Sequence, residues 1–192
     1  MRRGVELVLN AADVASLIDE ATRTIEDWPS PGVTFRDITP LLGDPSAFAS
    51  VIDALAARVT EAGPVPGAVV GVEARGFIVG APLALRLGVG FVPVRKKGKL
   101  PARTHEVTYD LEYATATLEI HTDALAPGTT AVIVDDVLAT GGTMSATCDL
   151  VRRCGADPVA VAVLMELSDL GGRGVLDVPC LALRTYGETR PI

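Results

Sequence analysis

Only three cysteines and two histidines occur among the 192 residues, and that scarcity excludes several kinds of protein. Cys148, Cys154 and Cys180 are odd in number and show no CxxC spacing, so they read as reduced core thiols, not as a disulfide framework. His105 and His121 are the only other soft ligands, too few for a zinc centre. Long apolar runs are missing as well. Stretches such as Ala131 to Val134 are far too short to span a bilayer, so no membrane association is expected. MRRGVELVLN at the N-terminus has two arginines, but its apolar stretch is brief and it has no small-residue cleavage site. It does not read as a signal peptide, and a cytoplasmic location is expected. Positive charge is in deficit too: 17 basic residues stand against 24 acidic ones, a net charge of −7. A chain this acidic does not present the broad basic face that nucleic acid requires. Neither a GxGxxG nor a P-loop Gly-Lys-Ser/Thr occurs, and no internal repeat or low-complexity tract is visible.

What is present is apolar patterning. Hydrophobic residues make up 48% of the chain, enough for one substantial core, and a single domain over 1–192 is expected. Val14, Leu17, Ile18, Ala21 and Ile25 stand at helical spacing across 11–26, with Asn10 as cap. Pro29, Pro31 and Gly32 break the chain before an extended or looped stretch over 33–42. Asp44-Pro45 then reads as N-cap and first position of a helix that carries Phe48, Val51, Ile52, Leu55 and Val59 and stops at Gly63-Pro64.

Beyond residue 66 short apolar strands alternate with helices. Strands are predicted over 68–72, 91–94, 131–134 and 159–165, with a short fifth over 181–183. Helices are predicted over 76–87, where Pro82 must start, kink or interrupt the helix, and over 143–154. This alternation predicts an α/β fold with a mainly parallel central sheet flanked by helices. Residues 115–120 alternate like an exposed strand. Residues 95–112 are polar, charged and turn-rich, too long for an ordinary connection, and read as a mobile functional loop.

Parallel sheets bind ligands beyond the carboxyl ends of their strands. That rule singles out Glu73-Ala74-Arg75-Gly76 and the stretch from Asp135 to Thr143. Asp135 and Asp136 are adjacent carboxylates that repel, so hydroxyls, amides or a cation must satisfy them. Alternation along a regular strand would aim them at opposite faces, which predicts that the chain leaves β geometry there. Ala139, Thr140, Gly141, Gly142 and Thr143 follow, immediately before a helix. Glycines that let N–H groups turn inward, two hydroxyls and a helix N-terminus are the parts of a phosphate cradle. A phosphate site beside hydroxyl-accepting carboxylates fits a ribose 5-phosphate. The basic run Arg95-Lys96-Lys97-Gly98-Lys99, with Arg103 beyond, points to a small anionic ligand.

The stretch VIVDDVLATGGT (132–143) resembles the phosphoribosyl-pyrophosphate motif of the type I phosphoribosyltransferases. DWPSPGVTFRDITPLL (27–42), GVEARGFIVGAPLALRLGVGFVPVRKKGKLP (71–101) and YDLEYATATLEIHTDAL (109–125) narrow the likeness to the adenine phosphoribosyltransferases, in that family's order, from about residue 23 to Leu176. The resemblance implies the type I phosphoribosyltransferase fold, with an N-terminal helix and base-binding hood segment over 1–42 and a mobile catalytic loop over 95–114. It implies a homodimer, and a reaction of adenine with phosphoribosyl pyrophosphate that gives AMP and pyrophosphate. Mg²⁺ is the implied cofactor, carried by the substrate, with no metal-ligating protein side chain expected.

Residue by residue, the resemblance implies that Asp135 and Asp136 take the ribose hydroxyls and that Ala139 to Thr143 anchor the 5-phosphate. Glu73, Ala74 and Arg75 match the pyrophosphate loop, with Arg95, Lys96 and Lys99 assisting. Thr34, Phe35 and Arg36 correspond to the adenine-binding segment, Phe35 stacking on the purine while main-chain groups of its neighbours read the edge. Glu112 is the implied acid/base at the purine. Two departures stand out: Thr34 occupies a position where valine or isoleucine is frequent, and Ala114 stands where glycine is common. If that glycine supplies a positive φ, the hinge of the loop is altered.

Overall fold

The computed structural model describes residues 10–110 and 115–187. Helix α1 (Ala11–Ala21) begins in a capping box, the Asn10 side chain accepting from the N–H groups of Ala12 and Asp13, and it buries Val14 and Ile18. It ends short of residue 26. Thr22 is extended, and β1 (Arg23–Ile25) pairs antiparallel with β2 (Phe35–Asp37) in a two-stranded ribbon. Ile25, at helical spacing in the sequence, faces Phe35 across that ribbon instead. A cross-strand partner outweighs one more turn of helix for Thr24 and Ile25, both β-branched.

The stretch 33–42 is likewise divided. Only β2 is extended, and α2 (Thr39–Gly43) follows once Asp37 has accepted hydrogen bonds from the N–H and hydroxyl of Thr39. Helix α3 (Pro45–Ala62) matches its sequence signals: Asp44 accepts from Ser46 and Ala47, Pro45 opens the helix, and Val51, Ile52, Leu55 and Val59 are buried.

The remaining elements are β3 (Ala68–Val72), α4 (Arg75–Leu87), β4 (Gly90–Lys96), β5 (Thr104–Asp110), β6 (Thr115–His121), β7 (Thr130–Leu138), α5 (Gly142–Arg153), β8 (Asp157–Leu167) and β9 (Cys180–Tyr186), with 3-10 turns at 168–170 and 172–175. Helix α4 continues through Pro82. The seven strands of the main sheet run in the order β5-β6-β4-β3-β7-β8-β9, with β4 through β9 in that order parallel and the β6 and β5 edge antiparallel. One face packs on α1, α3 and α4 through Ile18, Leu55 and Leu83, the other on α5 through Leu150 and Val151. The mainly parallel sheet covered on both faces is therefore present, and the three cysteines are free and buried.

Within the long loop expected over 95–114, the described residues 95–96 and 104–110 are strand. Arg95 and Lys96 end β4, and β5 pairs residue for residue with β6 from Thr104↔His121 to Asp110↔Thr115. THEVTYD alternates, with Val107 buried and Glu106 and Thr108 exposed, but charged neighbours hide the pattern in the sequence. Strand β6 is not the exposed strand its alternation predicts, since Leu118 and Ile120 are buried in the core cluster that includes Leu150 and Val151 of α5. Glu112 and Ala114 lie outside the described residues.

Candidate active site

A cleft of about 430 Å³ opens beyond the carboxyl ends of β3 and β7. Its lining includes Glu73, Ala74 and Arg75 from the β3–α4 turn, Lys96 from the end of β4, Asp135 and Asp136 on β7, and Ala139, Thr140, Gly141 and Thr143 from the turn into α5. The two places singled out by the strand-end rule thus form one site.

The chain does not leave β geometry at the acidic pair. Strand β7 runs on to Leu138 with Asp135 opposite Val163 and Val137 opposite Met165 on β8, whereas its pairing with β3 stops at Val134↔Gly71. With β3 gone from one flank, both carboxylates reach the cleft from a strand that is still paired on the other. Asp136 is 2% exposed and accepts from Nε of Arg75 at 2.5 Å. Asp135 turns back to accept the N–H of Asp136 at 2.9 Å. Burial, and then the charge of Asp136, push the Asp135 carboxyl up to about 8, so the pair holds a proton near neutrality.

Helix α4 starts at Arg75, its N-terminus beside the cleft, where the helix dipole favours an anion. Gly76 is required there: a Cβ would stand 2.6 Å from the Val134 carbonyl oxygen and 3.3 Å from Cα of Asp135. The Glu73–Ala74 peptide is cis. Gly141, at φ +85°, is the N-cap of α5, which puts Gly142 and Thr143 in the first helical turn.

The structure separates the residues grouped for pyrophosphate. Glu73 accepts from Nη2 of Arg95 at 3.1 Å, from its Nε at 3.3 Å and from the Lys96 N–H at 3.0 Å, which holds its carboxyl below the usual range. Arg95 also donates to the Lys99 carbonyl at 3.1 Å. The N–H groups of Lys99 and Leu100 in turn donate to the buried Glu119 carboxylate at 2.8 and 2.7 Å. Glu73 and Arg95 therefore brace the turn, and of the three basic residues Lys96 is the one in the cleft lining.

The ribbon of β1 and β2 stands beside the β3–α4 turn, with the Arg75 guanidinium carbon 5.9 Å from the Phe35 ring centre. Trp28 packs edge-on against Phe35 at 4.4 Å between centroids. The side chains of its neighbours are engaged locally, Thr34 with Glu26 at 2.7 Å and Arg36 with Thr24 at 2.7 Å and the Tyr186 ring at 4.2 Å. Sequence reasoning missed Tyr109, whose hydroxyl lies 2.9 Å from that of Thr143. Recognising β5 as a strand would have put Tyr109 on the inner face with Val107.

Residues 42–178 match the family model of the phosphoribosyl transferase domain. The adenine phosphoribosyltransferase of Thermobifida fusca is 56% identical, over 91% of this chain and 99% of its own, and that of Streptomyces coelicolor 54%, over 88% and 91%. Among solved structures, adenine phosphoribosyltransferase from Thermoanaerobacter pseudethanolicus superposes with a TM-score of 0.86 at 47% identity, covering 90% of this chain and 99% of that one. The Saccharomyces cerevisiae enzyme, complexed with an imino-altritol bisphosphate and adenine, superposes with a TM-score of 0.87 at 40% identity and the same coverage. Likeness this close over nearly the whole length of each relative leaves no room for a shared fold with a different ancestry: the chain belongs to the adenine phosphoribosyltransferase family.

Proposed function

We propose that this protein transfers the 5-phosphoribosyl group of phosphoribosyl pyrophosphate to adenine, giving AMP and pyrophosphate in purine salvage. The observation that carries the reading is the single cleft shared by the acidic pair, the α5 phosphate loop and the Arg75 turn. The reaction forms a bond from ribose C1 to N9 of the purine as the bond to the pyrophosphate oxygen breaks, with oxocarbenium-like charge on the sugar between the two. Such a reaction requires a fixed sugar, a neutralised leaving group and little water.

Thr140, Thr143 and the N–H groups of Ala139 to Gly142 anchor the 5-phosphate. Asp135 and Asp136 accept the ribose hydroxyls and favour the developing positive charge. Arg75, the start of α4 and Lys96 receive the pyrophosphate, Arg75 offering a planar fork to two oxygens. Glu73, Arg95 and Lys99 support that turn. Phe35 stacks on adenine, with the main chain of Thr34 and Arg36 reading its edge, as the hood formed by 1–42. Glu112, which lies outside the described residues, takes the N9 proton; Glu112→Ala is expected to lower kcat more than it raises KM, and an unchanged kcat would remove that role.

Among the described residues no group of three or more His, Cys, Asp or Glu is arranged to hold a metal ion. Asp135 and Asp136, hard oxygen donors, stand side by side in the cleft lining, which fits Mg²⁺ arriving on the substrate; these two residues would hold the substrate that carries it. When bound, the ion neutralises charge on the departing pyrophosphate.

The exposed apolar positions Ile78 and Leu85 on α4, 44% and 84% accessible, support a homodimer built on that helix. Among the described residues no helix is long and apolar enough to cross a membrane, and we infer a cytoplasmic enzyme. The test is direct: incubate the protein with phosphoribosyl pyrophosphate, Mg²⁺ and each purine in turn. AMP from adenine is expected, and its absence, or a preference for guanine or hypoxanthine, overturns the reading.

A further inference from the structure

The phosphate loop Ala139–Gly141 has no long side chain with which to brace itself. It is braced from behind by the backbone of the 172–175 turn. A Cβ on Gly172 would collide with the Ala139 carbonyl and stand 2.9 Å from the Gly141 nitrogen, and a Cβ on Gly141 would stand 2.5 Å from the Gly172 carbonyl oxygen. Two backbones in contact with nothing between them move together, because a packed interior transmits a shift and does not absorb it. The position of Gly172 therefore sets the position of the loop.

Gly172 is held by its neighbour. Arg173 donates through Nε to Oε1 of Glu166 at 2.8 Å, through Nη2 to Oε2 at 2.5 Å, and through Nη1 to the Cys180 carbonyl at 2.8 Å. Such a two-point pairing fixes direction as well as distance. Glu166 is 4% exposed and rooted in β8 opposite Leu138, the residue immediately before the loop. Neither Glu166 nor Arg173 is part of the cleft lining. A buried carboxylate is a costly way to secure a surface turn. Its register with Leu138 explains the placement: one strand pair carries both the loop and the anchor that holds it.

We propose that Glu166 and Arg173 are positioning residues for the 5-phosphate, acting through Gly172 on Ala139–Gly141 and so setting affinity for the phosphoribosyl substrate while leaving adenine recognition alone. The proposal rests on the phosphoribosyltransferase reading of the cleft. Its test measures the dissociation constant for ribose 5-phosphate by calorimetry, and the separate KM values for phosphoribosyl pyrophosphate and adenine, in the parent, Glu166→Gln, Arg173→Lys and Gly172→Ala.

A loop displaced by a fraction of an ångström to an ångström is expected to weaken ribose 5-phosphate roughly tenfold or more, with a matching rise in the KM for phosphoribosyl pyrophosphate. The KM for adenine should stay within about twofold of the parent, and Arg173→Lys, which keeps the charge but loses the fork, should fall between parent and Glu166→Gln. Ribose 5-phosphate affinity unchanged in Arg173→Lys and Gly172→Ala would overturn the proposal, as would an equal loss of adenine affinity. Those two variants carry the test if Glu166→Gln folds poorly. A parent protein that binds ribose 5-phosphate but makes no AMP overturns the reaction proposed above, whereas normal AMP formation with unaltered affinities overturns only this inference.

Discussion

Replacing Asp136 by asparagine removes one charge from the cleft while preserving shape, and its consequences can be worked from the geometry. In the parent, the Asp135 carboxyl, pushed up to about 8, is ionised in about one molecule in ten at pH 7. Without Asp136 the second contributor to the Asp135 shift disappears while the first, burial, stays. The Asp135 carboxyl falls but remains above its ordinary 3.8. The variant keeps a buried carboxyl at Asp135, while the Arg75 guanidinium loses the carboxylate that accepts from its Nε. Any loss of turnover then reports the missing partner of Arg75.

A hydrogen bond to a charged group contributes about 1.5–3 kcal/mol, which corresponds to roughly tenfold to a hundredfold or more in kcat/KM for phosphoribosyl pyrophosphate. Stability supplies an independent readout. Asp135 binds its proton more tightly in the folded than in the unfolded chain, so the parent loses stability as pH rises from about 4 towards about 8, at no more than about 1.4 kcal/mol per pH unit. In Asp136→Asn that decline should finish at lower pH. Profiles of kcat/KM and of urea unfolding between about pH 5 and 9 measure both. A variant with parental kcat/KM and the parental pH limb would refute the assignment of the pair.

Other expectations concern single contacts. Gly76→Ala forces a methyl against the Val134 carbonyl; overpacking of about 1–3 kcal/mol, partly offset by about 1 kcal/mol of helix propensity, should lower Tm by a few degrees and displace Arg75, reducing turnover. Parental Tm and turnover would contradict the packing argument. Tyr109→Phe deletes the hydroxyl that meets Thr143 at 2.9 Å and should raise the KM for phosphoribosyl pyrophosphate severalfold, consistent with about 1 kcal/mol for one hydrogen bond, with the KM for adenine unmoved. Phe35→Ala removes the ring proposed to stack on the purine and should raise the KM for adenine instead. Because Trp28, the one tryptophan of the chain, touches Phe35, adenine should also change its fluorescence in the parent, and a silent signal would place the base elsewhere.

Wherever local chemistry decides structure, the residues alone were enough. Asp44-Pro45 specified the start of α3, Asn10 that of α1, and the all-apolar runs of β3, β7 and β8 the parallel core, because caps, proline and burial act over a few positions. That the turns after β3 and β7 line a cleft was also legible, since strand ends in such a sheet are where ligands bind. Partners distant in sequence were not legible. Ile25 becomes strand because Phe35 lies opposite it, and 104–110 becomes strand because β6 offers an edge.

The site itself divides in the same way. VIVDDVLATGGT carries its own description as a sugar-phosphate cradle. That Asp135 and Asp136 reach one cleft from a continuing strand was decided by β3 ending at the pairing of Gly71 with Val134, a tertiary fact. Arg95 is drawn to Glu73 and away from the cleft for a similar reason, since the two stand at the ends of neighbouring strands. The sequence determined what chemistry the protein carries and roughly where. Which charges face the substrate and which hold the scaffold was settled only by the register between strands, because a pairwise charge interaction depends on distances that no linear spacing contains.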